Sequence, residues 1–408
     1  MEIIKRYQQT EIGLIPSDWQ VIRLGDVFIF KNGLNKEKRF FGKGTPIINY
    51  MDVYKNVGIT SKDLKGKVSL SSQEIKNYDV KKGDVFFTRT SETPDEIGMT
   101  AVVLEDLQNT VFSGFVLRAR PILQKLQLEF KKYCFASPRV RKDIISTSSY
   151  TTRALTNGRL LSNIKLTLPP QSEQTAIATA LSDTDALISS LEKLIAKKRS
   201  IKQGTMQELL KPKKGWEMKR LGEIGTVIRG ASPRPQGDKR YYGGSVPRLM
   251  VEDVTRDGKF VTPRVDFLTE EGAQKSRPCK KGTLTIVCSG TVGVVSILAV
   301  DACIHDGFLA LIDIKSKYST DYLYHKLSTL QNQFDNSATH GGIFTNLTTS
   351  SIRDFETSFP PIENQIEIAN ILSDMDAEIA VLEFKLKKYY QIKSGMMQNL
   401  LTGKIRLI

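Results

Sequence analysis

The residues of this chain that could do covalent chemistry are few and poorly spaced for it. Its three histidines are His305, His325 and His340, and its cysteines Cys134, Cys279, Cys288 and Cys303 form no Cys-x-x-Cys pair. Neither a zinc ribbon nor a disulfide framework is signalled, and a metal site has few candidate ligands. Phe40-Phe41-Gly42-Lys43-Gly44 has the F-x-G-x-G form that adenine methyltransferases place around S-adenosylmethionine. The N/D-P-P-Y/F motif such chemistry also needs is absent, for the two Pro-Pro pairs lie in Leu168-Pro-Pro-Gln171 and Phe359-Pro-Pro-Ile362. We read Phe40–Gly44 as a turn. No G-x-x-x-x-G-K-S/T phosphate loop occurs, and Ser289-Gly-Thr-Val-Gly293 reads as a bulge or turn. Pro94-Asp95 opens a nuclease-like motif that no acidic-x-Lys triplet completes. The expectation is a chain with no catalytic residue, no cofactor and no metal of its own.

Charge points elsewhere. Lysine and arginine number 59 against 44 acidic residues, a formal net charge of +15, which argues first for a nucleic-acid partner. Arg and Lys suit phosphates and guanine edges, while Asn, Ser, Thr and Tyr add shorter contacts. One set of candidates is Lys31, Asn32, Lys36, Lys38, Arg39, Lys43 and Tyr50, followed by Arg89, Thr90 and Ser91, and by Tyr150, Thr151, Thr152 and Arg153. A second is Arg229, Arg234, Arg240, Tyr241, Tyr242 and Arg248, then Ser289, His340 and Asn346.

These clusters need a frame to hold them, and the frame is written twice. Residues 168–213 and 359–404 align without a gap at a constant offset of 191, as Gln174/Gln365, Ser182/Ser373, Asp185/Asp376, Glu192/Glu383 and Gly204/Gly395 show. Gap-free similarity over some forty residues suits a helix, where an insertion would turn every later side chain off its face. The second copy carries Ile368, Leu372, Met375, Ile379, Leu382 and Leu386 on one stripe of period 3.5; the first carries Ile177, Leu181, Ile188, Leu191 and Ile195. That is the coiled-coil period, and the simplest partner for either stripe is the other copy. A rod of about 60 Å would result.

The segments before each helix repeat more loosely. Trp19–Gly25 parallels Trp216–Gly222, Lys82-Gly83 parallels Lys281-Gly282, and Ser113-Gly-Phe115 parallels Asp306-Gly-Phe308, at drifting offsets. Drift means insertions, which fall in loops. Short β-rich runs dominate, at Val85–Thr88, Val102–Leu104, Val111–Leu117, Thr285–Val287, Gly293–Val300 and Leu309–Ile314, with helical stretches at Leu126–Ile145 and Thr320–Phe334. The division reads as a first globular domain at 1–168, a long helix at 169–212, a second domain at 213–358 and a second helix at 359–408. The tail LLTGKIRLI leads back towards YQQTEIGLIPSDW, so the repeat is circular with the chain ends close in space. No apolar run approaches the roughly 20 residues needed to cross a bilayer, and MEIIKRYQQTEIG has no signal-peptide core. A cytoplasmic protein without a membrane partner is expected.

Two unlike β-rich domains alternating with two similar helices, each entered by L/F-P-P and ending G-x-M-Q-x-L-L, resemble the specificity subunit of a type I restriction-modification system. PP…EQ/NQ…LSDxDAxI, LLTGKIRL and Ile15–Asp26 carry the likeness, which covers the whole chain. The resemblance implies an α+β fold with a pseudo-two-fold, and two antiparallel helices joining two target recognition domains. Each domain would read half of a split double-stranded DNA target. The helices would set the gap and dock two modification (methyltransferase) subunits, with restriction subunits as further partners. The alternatives are a stand-alone DNA-binding or coiled-coil scaffold and a self-sufficient DNA methyltransferase, which would bind S-adenosylmethionine alone.

Overall fold

A proline pair starts each long helix. Strand Lys165–Leu168 runs into Pro169-Pro170 and then a helix over Gln171–Leu209; strand Glu356–Phe359 runs into Pro360-Pro361 and then a helix over Ile362–Leu400. A residue before proline is pushed out of the helical region, which ends the extended run and lets the helix begin after it. Both helices are 39 residues long, and their bounds keep the offset of the sequence repeat. The computed structural model describes residues 7–337 and 347–407.

The chain forms two compact units, residues 1–192 with 384–408, and residues 193–383. Each takes one globular segment and part of both long helices, so the units cut across the four-segment division of the sequence. Within each, the helices are antiparallel. In the first unit Asp185 meets Lys393 at 2.6 Å and Glu192 accepts from the Tyr390 hydroxyl. In the second Lys198 meets Glu378 and Arg199 meets Glu383, both at 2.6 Å, and Lys202 pairs with Asp376.

The two globular segments share one topology. The first has a five-stranded sheet in the order Phe28–Asn32, Val116–Pro121, Val85–Thr88, Thr100–Val103, Gly58–Ile59, with three antiparallel pairings and a final parallel one. The second repeats it with Thr226–Arg229, Phe308–Ile312, Leu284–Val287, Val295–Leu298 and Phe260–Val261 in the same order and sense. The middle strands, VFFT and LTIV, are wholly buried, as apolar runs covered on both faces should be. A smaller sheet beside each contains a bulged eight-residue strand, Phe41–Ile48 or Tyr242–Leu249. Strand Gln20–Arg23 pairs with Lys165–Leu168, and Glu217–Arg220 pairs with Glu356–Phe359. The start and end of each globular segment are thereby clamped together at the foot of a helix.

Several expectations shift in detail. Phe40–Gly44 is no simple turn: Phe41–Gly44 opens a strand, and the register slips between Phe41 and Thr45 with Gly42 and Gly44 at positive φ. Leu126–Ile145 is two helices, Leu128–Cys134 and Pro138–Thr147, because Pro138 cannot continue the first and starts the second behind a Ser137 cap. Thr320–Phe334 likewise divides into Thr320–Ser328 and Gln331–Ser337. Val111–Leu117 is interrupted at Ser113-Gly114-Phe115.

The repeat register moves by one residue at that interruption. Arg89 N donates to Phe115 O, and Cys288 N donates to Gly307 O; a Cβ on Gly33 would strike Ser113 O, and one on Gly230 would strike His305 O. Phe115 therefore stands where the second domain has Gly307, although the Gly-Phe dipeptides match by eye one step along.

Candidate nucleic-acid interface

The first level of the site is the tie between domain and helix, made from the same residues twice. Gln174, buried, accepts from Gln127 N at 2.9 Å and donates to Lys125 O and Pro169 O at 3.0 Å each. Gln365 accepts from Ser319 N at 3.0 Å and donates to Lys317 O and Pro360 O. Two turns on, the Tyr133 hydroxyl reaches Ser182 and Asp185, while His325 Nε2 and Lys259 Nζ reach Ser373. Burial, aided by Lys259, pushes His325 down to about 4, so the ring is neutral at pH 7. The stripe residues Ile177, Leu181, Ile188, Leu191, Ile195, Ile368, Leu372 and Ile379 are buried, whereas Met375, Leu382 and Leu386 are half-buried. Ile177 and Leu181 join the first domain's core with Trp19, Phe130, Tyr133 and the second helix's Leu400; Ile368 and Leu372 join the second core with Tyr322, Leu327 and Leu210.

The C-terminal tail closes the first unit. Tyr7 donates to Gly403 O at 3.1 Å and Thr167 to Leu401 O at 3.2 Å. Arg406 chelates Glu173 at 2.6 and 2.7 Å and Asp18 at 2.7 and 3.0 Å, with Trp19 Nε1 donating to Glu173 at 2.8 Å. The circular join read in the sequence is thus a buried, charged knot.

The candidate contact residues of the first domain fall into two groups. Lys36, Lys38, Arg39 and Lys43 lie along the loop and bulged strand beside Phe40; Lys36 pairs with Glu74 at 2.7 Å and Arg39 with Glu37 at 3.0 Å. Lys31 is turned to Asn77 O and the Tyr78 ring. Thr90, Ser91 and Arg153 come together with Tyr50 and Tyr54 in a groove of about 340 Å³, with Arg89 nearby donating to Gly114 O. Ser91 itself is buried and donates to Glu96. Among the described residues, the side chains of Lys38, Lys43 and Arg153 have no protein partner.

The second domain gathers its arginines around one turn, His305-Asp306-Gly307. Arg229 donates to Asp306 O at 3.0 Å, Arg234 approaches its carboxylate at 3.8 Å, and Ser232 links that carboxylate to Arg248. Arg248 is buried against Asp266 at 2.6 Å, with its guanidinium over the Tyr242 ring. Ser289 borders the same turn, since a Cβ on Gly307 would meet its hydroxyl. Arg240 is held by Asp238, and Tyr241 is buried under Lys275. Asn346 and His340 lie outside the described residues. Residues that sequence reasoning passed over include Met51, Glu92 and Phe115 in the first domain and Lys275 in the second; Phe115 is 60% exposed, which nothing in its neighbours announces.

Nucleophilic chemistry finds little here. All four cysteines are buried, and burial raises each thiol, Cys279 to about 11. No cluster of three metal-ligating side chains occurs among the described residues, and no described helix is long and apolar enough to cross a membrane.

The comparisons agree with this architecture. The model of the Type I restriction modification DNA specificity domain matches residues 16–203 and again 213–389. The chain is 25% identical to the type I restriction enzyme MjaX specificity subunit of Methanocaldococcus jannaschii, over 99% of this chain and 97% of that one. It is 22% identical to the MjaVIII specificity subunit of the same organism, over 96% and 94%. Among solved structures, the type I S subunit of M. genitalium superposes with a TM-score of 0.58 at 14% identity, covering 94% of this chain and 96% of that one. A chain from a study of type I complex assembly and conformational transition gives 0.59 at 17%, covering 96% and 99%. With two matches that span most of its length, each over one globular segment and its helix, this chain belongs to the type I restriction-modification DNA specificity family.

Proposed function

We propose that this chain reads a split double-stranded DNA target for a type I restriction-modification complex, one half-site with each globular domain, and that modification subunits dock on its paired helices. The carrying observation is a contrast within one molecule. The residues that tie domain to helix recur in both copies, as Gln174/Gln365 and Ser182/Ser373 do, and so do the helix-to-helix carboxylates Asp185 and Asp376. The surfaces that gather the basic candidates do not: a groove with exposed Phe115 in one domain is an arginine-ringed turn in the other. A constant frame with two unlike faces suits one kind of partner twice and two different short sequences once each. In functional terms the division is 1–168 and 213–358 for reading, 169–212 and 359–408 for spacing and docking. Phosphate contacts fall to exposed cations such as Lys38, Lys43 and Arg234, since such contacts fix position without reading sequence. Methyl transfer and cleavage belong to the partner subunits, two of the modification type with restriction subunits as further members.

Long-read modification sequencing tests this directly, comparing cells that express the chain with its methyltransferase partner against the methyltransferase alone. Methyladenine at two short unlike halves around a fixed gap, only when this chain is present, is the expected result. No new methylation from a stable complex would refute it in favour of a scaffold, and methylation without any partner would refute the assignment of chemistry to other subunits.

A further inference from the structure

We infer that Glu92 and Arg153 read a single G·C base pair of the half-site taken by the first domain, Arg153 on the guanine and Glu92 on the cytosine. This rests on the DNA-reading function proposed above. The groove they line, about 340 Å³, also has Tyr50, Met51, Thr90 and Phe115 on its walls. Met51 is 46% and Phe115 60% exposed, an apolar surface left open in the same groove as the two charges. Glu96, the groove's other carboxylate, is engaged by the Tyr54 hydroxyl at 2.7 Å and by Ser91. Glu92 and Arg153 are exposed and have no protein partner among the described residues, nor do they pair with each other.

Two opposite charges left free in one groove restrict the ligand. A phosphate would suit Arg153 but would be repelled by Glu92. A base-pair edge offering adjacent acceptors and a donor suits both. In the major groove, guanine presents O6 and N7 to a guanidinium and its cytosine presents an N4 amine to a carboxylate. Adenine fails the first requirement, because its N6 amine stands beside N7 where Arg needs a second acceptor. The repeat supplies an independent reason to place sequence discrimination here. Position 115 is a protruding phenylalanine in this domain and Gly307 in the other, where a Cβ would lie 2.4 Å from the His305 ring. The two domains thus differ at a wall of this groove, as readers of unlike half-sites must.

The test uses the full chain with its methyltransferase partner and the methylated motif as readout. In Arg153→Ala and in Glu92→Gln, discrimination at one and the same G·C position of one half-site should fall about tenfold or more, with the other half-site and the gap unchanged. The unchanged half shows that the variant is folded and assembled. An unaltered motif in both variants overturns the inference, as does relaxation at an A·T position or at two different positions. Should Arg153→Ala abolish methylation outright, Glu92→Gln alone decides by the same criterion. Failure of the parent reading looks different: the wild-type complex would then give no split motif at all.

Discussion

Replacing Arg406 by alanine should loosen the first unit from its ends inward. Arg406 is 4% exposed in its side chain and Glu173 is 0% exposed, and the two make a double hydrogen bond of 2.6 and 2.7 Å. With the guanidinium gone, the buried carboxylate keeps only Trp19 Nε1 and Leu407 N, at 2.8 and 3.3 Å. An uncompensated buried charge costs about 3–5 kcal/mol. Hydrogen exchange resolves the effect by segment, which matters in a chain of two units where one global unfolding free energy is ill-defined. Protection of the Tyr7–Thr10 and Gly13–Pro16 hairpin and of Gln20–Arg23 should fall by roughly two to four powers of ten if local opening governs exchange, while strand Leu284–Val287 is unaffected. Adding Glu173→Gln removes the stranded charge and leaves an acceptor for Trp19, so the double variant should recover most of the loss. If the double variant is no better than Arg406→Ala, the cost lies in lost packing over the Trp19 ring and the buried-charge reasoning is wrong. If Arg406→Ala leaves protection unchanged, the tail does not hold the unit at all.

Gln174→Ala and Gln365→Ala should each destabilise their own unit by about 1–3 kcal/mol, because each strips its partner from one buried carbonyl and from a part-buried backbone N–H and carbonyl; segment-resolved exchange that showed loss in the other unit would contradict the assignment. Deleting seven residues from both long helices keeps their stripe in register, shortens the pair by about 10 Å and should shorten the tolerated gap between half-sites by about three base pairs; an unchanged gap in modification sequencing refutes the spacer role. His325 titrates near 4 when folded against 6.5 when free, so protons favour the unfolded state between those values. Stability from this group is complete above about pH 6.5 and is lost as pH falls towards 4, by about 3 kcal/mol at most. Denaturant unfolding of His325→Phe should therefore lose less stability than the wild type between pH 7 and 5, and equal slopes would refute the shift.

The helical frame was legible because helices tolerate no gaps. The offset of 191 carries Lys202 onto Lys393 and Asp376 onto Asp185, and both pairs form in the structure. Their alignment could be read before their geometry was known. The knot of Trp19, Glu173 and Arg406 could not, since its members lie in three distant stretches and Gly215 occupies the equivalent of Arg406 in the other copy. Basic residues were easy to find and hard to rank. Arg248 and Arg153 look alike in sequence, yet one is buried on Asp266 and the other stands free; only tertiary neighbours decide which cation is neutralised at home. The one-residue shift at Phe115 arises because matching Gly-Phe dipeptides sit in a tight turn, where similarity of composition outruns similarity of place.

That shift bears on how such a repeat can diverge. A duplicated domain must keep the atoms that hold it to its helix, and here they are kept as bonds more than as residues. Tyr133 and His325 occupy equivalent positions, reach equivalent serines (Ser182 and Ser373) of their two helices and differ in type; Tyr390 takes the role towards Glu192 that Arg199 has towards Glu383. A hydrogen bond to a fixed helix group constrains geometry while leaving charge free to change. Among the described residues the groove and the arginine-ringed turn carry no such bond to the helix, so what opposes a side chain at Gly307 is the His305 ring of its own turn and not the frame. Selection for a new half-site can act on that turn without disturbing Gln174 or Gln365 beneath it. The same separation explains why the sequence showed the frame and withheld the target.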